Sequence, residues 1–303
     1  MSAHVAVLMG GLSVERDVSL VSGVACAEAL GRRGYGTSKI DVGRDLAEQL
    51  AALEPDVCFN ALHGRFGEDG CVQGVLETLA IPYTHSGVRA SAVAMHKPTA
   101  KTLFEAAGVR CPQGVIADWA TIGRGEAMSV PFVAKPIAEG SSVGVYIVLD
   151  EGDPVLRRNP EPDEGPFLVE PFVQGLELSV AVLDGEPLTV TEIKPSEGFY
   201  DYRAKYTEGA AEHILPAALP EPVFEAALVN AAIAHETLGC RGLSRADFRY
   251  DPTPADADGL FLLEINTQPG MTPLSLAPEQ AHYRGIEFDE LVVRLVEDAS
   301  CAR

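Results

Sequence analysis

Two short strings near the C-terminus, Arg245-Ala-Asp247 and Glu264-Ile-Asn266, constrain the fold most. They set charged and amide groups inside apolar runs at the two-residue period of a β-strand. Arg245 and Asp247 therefore share one face of one strand, and Glu264 and Asn266 share one face of another. The intervening Asp251-Pro-Thr-Pro-Ala-Asp-Ala-Asp-Gly259 is turn-rich, which lets the two strands pair as neighbours. Two carboxylates and one amide oxygen then converge, with Gln268-Pro-Gly270 just beyond. Hard oxygen donors of this kind suit Mg²⁺, which keeps part of its water shell and is completed by substrate phosphates, so a nucleotide is implied. An isolated Arg-x-Asp is more often a structural ion pair; four polar groups on adjacent apolar strands favour a site.

A chain of 303 residues exceeds what one core usually supports, and 47% of it is hydrophobic, so two or three packed subdomains are expected. The formal charge of −21, with no basic run to offset it, would repel a phosphate backbone and argues against nucleic acid as a partner. A nucleotide would need local lysines. Cys26, Cys58, Cys71, Cys111, Cys240 and Cys301 form no Cys-x-x-Cys pair, which fits reduced thiols rather than a disulfide framework or a zinc site. The first residues carry no basic region and no apolar stretch reaches the length of a membrane span, so a cytoplasmic protein without a membrane partner is expected.

The first third alternates strand and helix, which makes the fold class α/β with an N-terminal parallel unit. Val5 to Met9, Lys39 to Asp41, Val57 to Ala61 and Ile81 to Tyr83 read as strands, and Ser19 to Leu30, Leu46 to Leu53 and Val72 to Leu79 as helices. Ser91 to Ala107 reads as helical and leads to strands at Phe132 to Lys135, Val145 to Val148 and Phe167 to Glu170, separated by hairpin-like turns. The acidic, Pro-rich stretch Asp150 to Pro166 is expected to be exposed. Strands Ser179 to Leu183 and Thr189 to Ile193, a long polar loop to Glu212, helix Val223 to Leu238, the polar strand pair and a terminal helix Phe288 to Glu297 complete the reading.

Several segments carry chemistry. Lys135-Pro-Ile-Ala-Glu-Gly140-Ser141-Ser142-Val-Gly144 lies between apolar runs, so its glycines and serines let backbone N–H groups approach phosphate oxygens while Lys135 supplies a point charge. It lacks a P-loop ending, and a Gly-rich hairpin alone is more often only a turn. Glu170 and Glu177 bracket Pro171-Phe-Val-Gln-Gly175 and suit an adenine amino group and ribose hydroxyls, or else a solvated edge. Lys97 opens a helix in His96-Lys97-Pro98, where a surface lysine is the simpler reading. Gly10-Gly11-Leu-Ser13-Val-Glu15 follows a strand and opens a helix, a place that favours anions, and Asp41 ends the next strand, so a dinucleotide-binding dehydrogenase is a rival. The Gly-x-Gly-x-x-Gly spacing is missing, however, and Glu15 suits an ammonium group. His63-Gly-Arg-Phe-Gly-Glu68-Asp-Gly70 leaves a strand at its carboxyl end, where open α/β sheets place ligands.

Taken in order, these elements resemble D-alanine:D-alanine ligases of the ATP-grasp superfamily over nearly the whole chain. The matching strings are Met9-Gly-Gly-Leu-Ser-Val-Glu15, Ala61-Leu-His63 through Gly70, Lys135-Pro with Glu139-Gly-Ser-Ser-Val-Gly144, Phe199-Tyr-Asp-Tyr-Arg-Ala-Lys205-Tyr206, Arg245-Ala-Asp247 and Glu264 through Thr272. The resemblance implies an ATP-grasp fold in three subdomains: 1–96, an N-terminal α/β substrate unit; 97–177, a central ATP-binding unit; and 178–303, with the metal and catalytic residues. It implies that ATP phosphorylates one D-alanine and that the amine of a second attacks the acyl phosphate, giving the dipeptide for peptidoglycan.

By the same resemblance, ATP meets Lys97, Lys135, Ser141, Glu170, Phe172, Val173, Glu177, Phe199, Lys205 and Leu263. Asp247, Glu264 and Asn266 hold two Mg²⁺, or Mn²⁺, with Glu264 bridging. Glu15, Ser141 and Tyr206 form a hydrogen-bonded set, Arg245 and the Gly270 N–H stabilise the oxyanion, and His63, Ser275 and Leu276 line the substrate side. Catalysis by positioned charge suits phosphoryl transfer. A homodimer is the family's expectation. Thr84-His85-Ser86-Gly87 and Pro273-Leu274 depart from the common pattern and Trp119 to Val130 is short, while Tyr206 matches the alanine-accepting pattern where D-alanyl-D-lactate ligases often carry Phe; a ligase using D-lactate or D-serine as second substrate is the alternative.

Overall fold

A computed structural model describes residues 3–140, 144–159, 165–195, 211–254, 256–272 and 275–301. Its first unit grows from β1 (His4–Met9), in which Val5, Ala6, Val7 and Leu8 are fully buried. A strand covered on both faces needs an unbroken apolar run, and this segment supplies one. β2 (Gly36–Asp41) and β3 (Val57–Asn60) pair with it in parallel in the order β2-β1-β3. α1 (Arg16–Arg32) and α2 (Leu46–Leu53) make the crossovers, and α3 (Cys71–Leu79) follows. The expected strand Ile81 to Tyr83 is reduced to bridges from Tyr83 to Cys58 and to Ser300. Pro82 has no N–H with which to extend a ladder.

The expected helix Ser91 to Ala107 is two, α4 (Val88–Met95) and α5 (Lys97–Ala106). His96 leaves helical geometry at φ −89°, ψ 86°, and its ring accepts from the Thr99 N–H as a cap. Pro98 sits in the first turn of α5, where a missing N–H is harmless.

The central sheet runs β4-β7-β5-β6, all antiparallel, from β4 (Val115–Ala117), β5 (Phe132–Pro136), β6 (Tyr146–Val148) and β7 (Phe167–Pro171). β5 and β6 form the expected hairpin, but β7 pairs with the other side of β5 and with the unanticipated β4. Trp119, from α6 (Trp119–Gly123), packs with Phe132 and Phe167, and the Arg158 guanidinium lies 3.5 Å from the Trp119 ring centroid. Part of the acidic stretch is thereby anchored by a cation–π contact.

The third sheet has the order β10-β9-β8-β11-β12 and is antiparallel. Its strands are β8 (Leu176–Leu183), β9 (Glu186–Pro195), β10 (Ala211–Ile214), β11 (Leu243–Tyr250) and β12 (Leu260–Asn266). β10 occupies the end of the expected polar loop. α7 (Glu221–Leu238) covers one face through Val223, Ala227, Ala231, Ala234 and Leu238, a helical stripe of small residues. α8 (Leu276–Tyr283) covers part of the other and was not foreseen. Its Gln280 is fully buried, accepting from the Ala181 N–H at 2.8 Å and donating to Ser179 O at 3.0 Å. The β8 to β9 register shifts between Val180 and Val182, so the amide of Gln280 replaces ladder bonds at the irregularity.

α9 (Phe288–Glu297) returns to the first unit, where Leu291, Val292 and Leu295 share a core with Val5, Ala27 and Leu30. Among the described residues no helix is long and apolar enough to cross a membrane.

Candidate active site

β11 and β12 pair in the anticipated manner: Arg245 lies opposite Asn266 and Asp247 opposite Glu264. Opposed residues of an antiparallel pair point to the same side, so all four polar groups share one face. The other face, Ala246, Phe248, Tyr250, Leu262 and Ile265, is apolar core. Arg245 forks onto Asp247, donating from Nε to Oδ1 at 2.9 Å and from Nη2 to Oδ2 at 2.7 Å, and the Ser179 hydroxyl donates to Oδ1 at 2.8 Å. Arg245 and Asp247 are thus an ion pair, and the pair lies on the face of the candidate site. Lys97 Nζ donates to Glu139 O at 2.5 Å and stands 3.5 Å from Glu264 Oε2. The break at His96 starts α5 against the loop after β5, where the Lys97 N–H donates to Ile137 O at 2.9 Å.

Two carboxylates and an amide on one face form an all-oxygen donor set, and Glu264 lines an open cleft, so the residues fit a hard divalent cation. Among the described residues no three His, Cys, Asp or Glu side chains converge as a metal cage. The third donor is the amide of Asn266.

The cleft lies between the central and third sheets and encloses about 380 Å³. Val133, Val145 and Ile147 wall it on one side and Leu263 on the other, with Lys97, Lys135, Glu170, Glu177 and Glu264 as its charges. That size and mixture suit a planar base with a charged tail. Phe172 and Val173 line it between β7 and β8: the Phe172 N–H donates to Pro131 O at 3.1 Å, and Arg249 Nε donates to Val173 O at 3.1 Å. Arg249 also stands 3.5 Å from Glu177.

Glu170 is buried, with Lys135 Nζ 2.7 Å from Oε2 and Lys101 Nζ against Oε1. Burial pushes the Glu170 carboxyl up, but the charges of Lys135 and Lys101 and their hydrogen bonds outweigh it and hold it below its ordinary range. Lys101 escaped the sequence reading. Its one signal was a spacing of four from Lys97, which puts both lysines on one helix face.

The N-terminal unit reaches the same place. Glu15 is buried at the start of α1, and a Cβ added to Gly140 would stand 2.9 Å from its Oε1 and 3.2 Å from Glu68 Oε1. The loop after β5 therefore touches the N-terminal acids. His63 is buried, with Nε2 3.3 Å from Ser22 Oγ, and its carbonyl accepts from the Ser13 hydroxyl at 2.7 Å. Burial, helped by the nearby Arg245 charge and opposed by a hydrogen bond with the Gln268 backbone, pushes its imidazole down to about 4. Glu68 belongs to the loop named in the sequence, which gave it no role of its own. Burial first, and then the negative charge of Glu15, push its carboxyl up to about 8, with Arg245 and Glu264 also within electrostatic reach. Gly270, Ser275 and Leu276 sit at the start of α8, where a Cβ on Gly270 would stand 2.8 Å from Ser275 Oγ. The neighbouring Met271 N–H donates to Ser22 at 3.4 Å, which links this turn to His63. Ser141, Phe199, Lys205 and Tyr206 lie outside the described residues.

With this geometry in place, the comparisons are consistent from end to end. The profile of the D-Ala D-Ala ligase N-terminus matches residues 37–86, and that of the C-terminus residues 120–297. The D-alanine–D-alanine ligase of Caulobacter vibrioides is 56% identical over 308 aligned residues, covering 98% of this chain and 93% of that one. The crystal structure of the Bacillus anthracis D-alanine–D-alanine ligase complexed with ATP superposes with a TM-score of 0.79 at 28% identity, over 98% of this chain and 97% of that one. VanG D-Ala:D-Ser ligase from Enterococcus faecalis gives 0.79 at 27% identity, over 98% and 99%. The chain has the ATP-grasp architecture of these enzymes and belongs to the D-alanine–D-alanine ligase family.

Proposed function

We propose that this protein is an ATP-dependent ligase that joins two D-alanines into D-alanyl-D-alanine for peptidoglycan synthesis in the cytoplasm, and that it works as a homodimer. The carrying observation is a single face, Arg245, Asp247, Glu264 and Asn266, with the lysine-lined cleft on one side and the acidic N-terminal loops on the other. The reading divides the chain into 1–96 for substrate, 97–177 for nucleotide and 178–303 for metal and catalysis.

The base of ATP would lie against Leu263 and the Phe172-Val173 segment, with Glu170 accepting from its amino group and Glu177 from the ribose. Lys97 and Lys135 would meet the phosphates, joined by Ser141, Phe199 and Lys205 from segments beyond the described residues. Asp247, Glu264 and Asn266 would hold two Mg²⁺, whose contribution when bound is to neutralise charge on the phosphate oxygens. The carboxylate of the first D-alanine attacks the γ-phosphorus and ADP leaves. The amine of the second then attacks the acyl carbon and phosphate departs.

Glu15, with Ser141 and Tyr206, would fix the first ammonium, while His63, Ser275 and Leu276 would shape the pocket. Arg245 is pre-aimed by its fork on Asp247, so with the Gly270 N–H it would stabilise the oxyanion without reorganising, an effect of about 3 kcal/mol for one such donor. Mass spectrometry of products from ATP with D-alanine, D-serine and D-lactate tests the reading. D-alanyl-D-alanine as main product supports it, and a depsipeptide or a mixed dipeptide in its place would refute the second-substrate assignment.

A further inference from the structure

The buried lysines of the described chain are Lys97, Lys101 and Lys135. Two have a task in the proposed reaction and Lys101 has none. It lies one helical turn beyond Lys97 on α5 and stands behind Glu170, outside the residues that line the cleft. Each oxygen of Glu170 meets one ammonium, Lys101 at Oε1 and Lys135 at Oε2. Lys135 lines the cleft and, in the proposed placement of ATP, shares its charge with the phosphates. Glu170 would then be a buried carboxylate whose undivided counter-charge is Lys101. A buried carboxylate without a counter-charge takes up a proton, and a protonated carboxyl offers a donor as readily as an acceptor.

We propose that Lys101 is a positioning residue for nucleotide selection: it keeps the Glu170 carboxylate charged and aimed, so that the cleft accepts a 6-amino purine and rejects a 6-oxo purine. The inference rests on the proposed placement of the adenine amino group at Glu170. Lys101 itself touches no substrate.

The test compares ATP with ITP, which replaces the 6-amino group by an oxygen, in Lys101→Met, Lys101→Arg, Glu170→Gln and the double variant Lys101→Met/Glu170→Gln. Lys101→Met should lower the ATP-to-ITP ratio of kcat/KM about tenfold, the size of one charge-assisted hydrogen bond, chiefly through a higher KM for ATP with kcat little changed. Lys101→Arg, which keeps the charge, should restore most of the ratio, and in the Glu170→Gln background loss of Lys101 should change the ratio no further. An unchanged ratio in Lys101→Met, whatever its melting temperature, would overturn the inference and leave Lys101 a packing residue. Should that variant not fold, Lys101→Gln keeps an N–H donor without the charge and carries the same expectation. Equilibrium titration of wild type and variants with Mg-ATP and Mg-ITP gives the same ratio without D-alanine. Absence of ligation by the wild type would thus reject the proposed reaction while the selectivity comparison still decides the role of Lys101.

Discussion

Glu68→Gln should stabilise the metal-free protein, by an amount that grows with pH. Glu68 is buried in the loop after β3, and its carboxyl is pushed from 4.5 up to about 8, first by burial and then by the charge of Glu15, against an opposing hydrogen bond from the Gly64 backbone and the charge of Arg245. A carboxyl whose proton is held more tightly in the folded state gives its full stability below the unfolded pKa and loses it as pH rises toward the folded one. Each tenfold change in proton affinity corresponds to about 1.4 kcal/mol. The penalty carried by the wild type is therefore small near pH 5.5, grows through neutral pH to on the order of a few kcal/mol, and levels off once pH passes the folded-state value. Gln has the shape of the protonated acid and does not titrate, so the variant escapes that slope. Urea unfolding of both proteins in EDTA from pH 5.5 to 9 measures the difference directly. A difference flat in pH, or a variant less stable at pH 8, would mean that Glu68 is ionised and held by Arg245, and the reasoning would fail. If the acid is protonated in the free enzyme, an arriving ammonium group should expel that proton, and calorimetry in buffers of different ionisation enthalpy would record its release.

Glu264→Ala should abolish Mg-ATP-dependent turnover while circular dichroism and the melting transition stay close to wild type, because the side chain lines the cleft rather than the core; retained turnover would remove Glu264 from the metal site. His63 is pushed down to about 4 and so stays neutral across the working range. His63→Gln should then raise KM for D-alanine without altering the shape of the pH–rate profile between about pH 5.5 and 8; disappearance of an acid limb near the ordinary histidine pKa would contradict this. Gly175 has φ +100°, and an added Cβ would overlap the Tyr250 carbonyl oxygen at the β7–β8 turn. Gly175→Ala should cost about 2 kcal/mol or more in urea unfolding, and a neutral substitution would show that this turn moves freely.

The parts legible in the sequence were those in which a short period determines a face. Leu46 to Leu53 and Phe288 to Glu297 are helices with the expected bounds, and the polar strands pair with the expected neighbours because a turn-rich loop connects them. The break at His96 was less legible. Apolar spacing continues through it, and only the His-Lys-Pro order hinted that a new helix begins there. β4, β10 and α8 were missed for a common reason: each is short and is held by a partner distant in the chain. Gln280 bonds Ser179 and Ala181, contacts that no local window contains.

The electrostatic part of the site was harder to read, because a charge acquires its meaning from what lies across from it. The chain carries 44 acidic residues against 23 basic ones, and from the sequence its lysines look alike. In the fold, Lys97, Lys101 and Lys135 are buried around one cleft, brought together by α5 and β5. An acidic protein would repel a triphosphate at long range, a field that salt screens within about 10 Å. Lys97 and Lys135, beyond that screening, would act on the phosphates at short range and low dielectric, where a single charge counts for most. Glu170 reinforces this arrangement, since it stands between the Lys101 and Lys135 ammonium groups, whose like charges would otherwise repel. The carboxylate that would read the base is therefore also the partner of Lys135, which would meet the phosphates, and of Lys101 behind it. This mutual dependence joins residues 101, 135 and 170 into one device, although no spacing along the chain connects them.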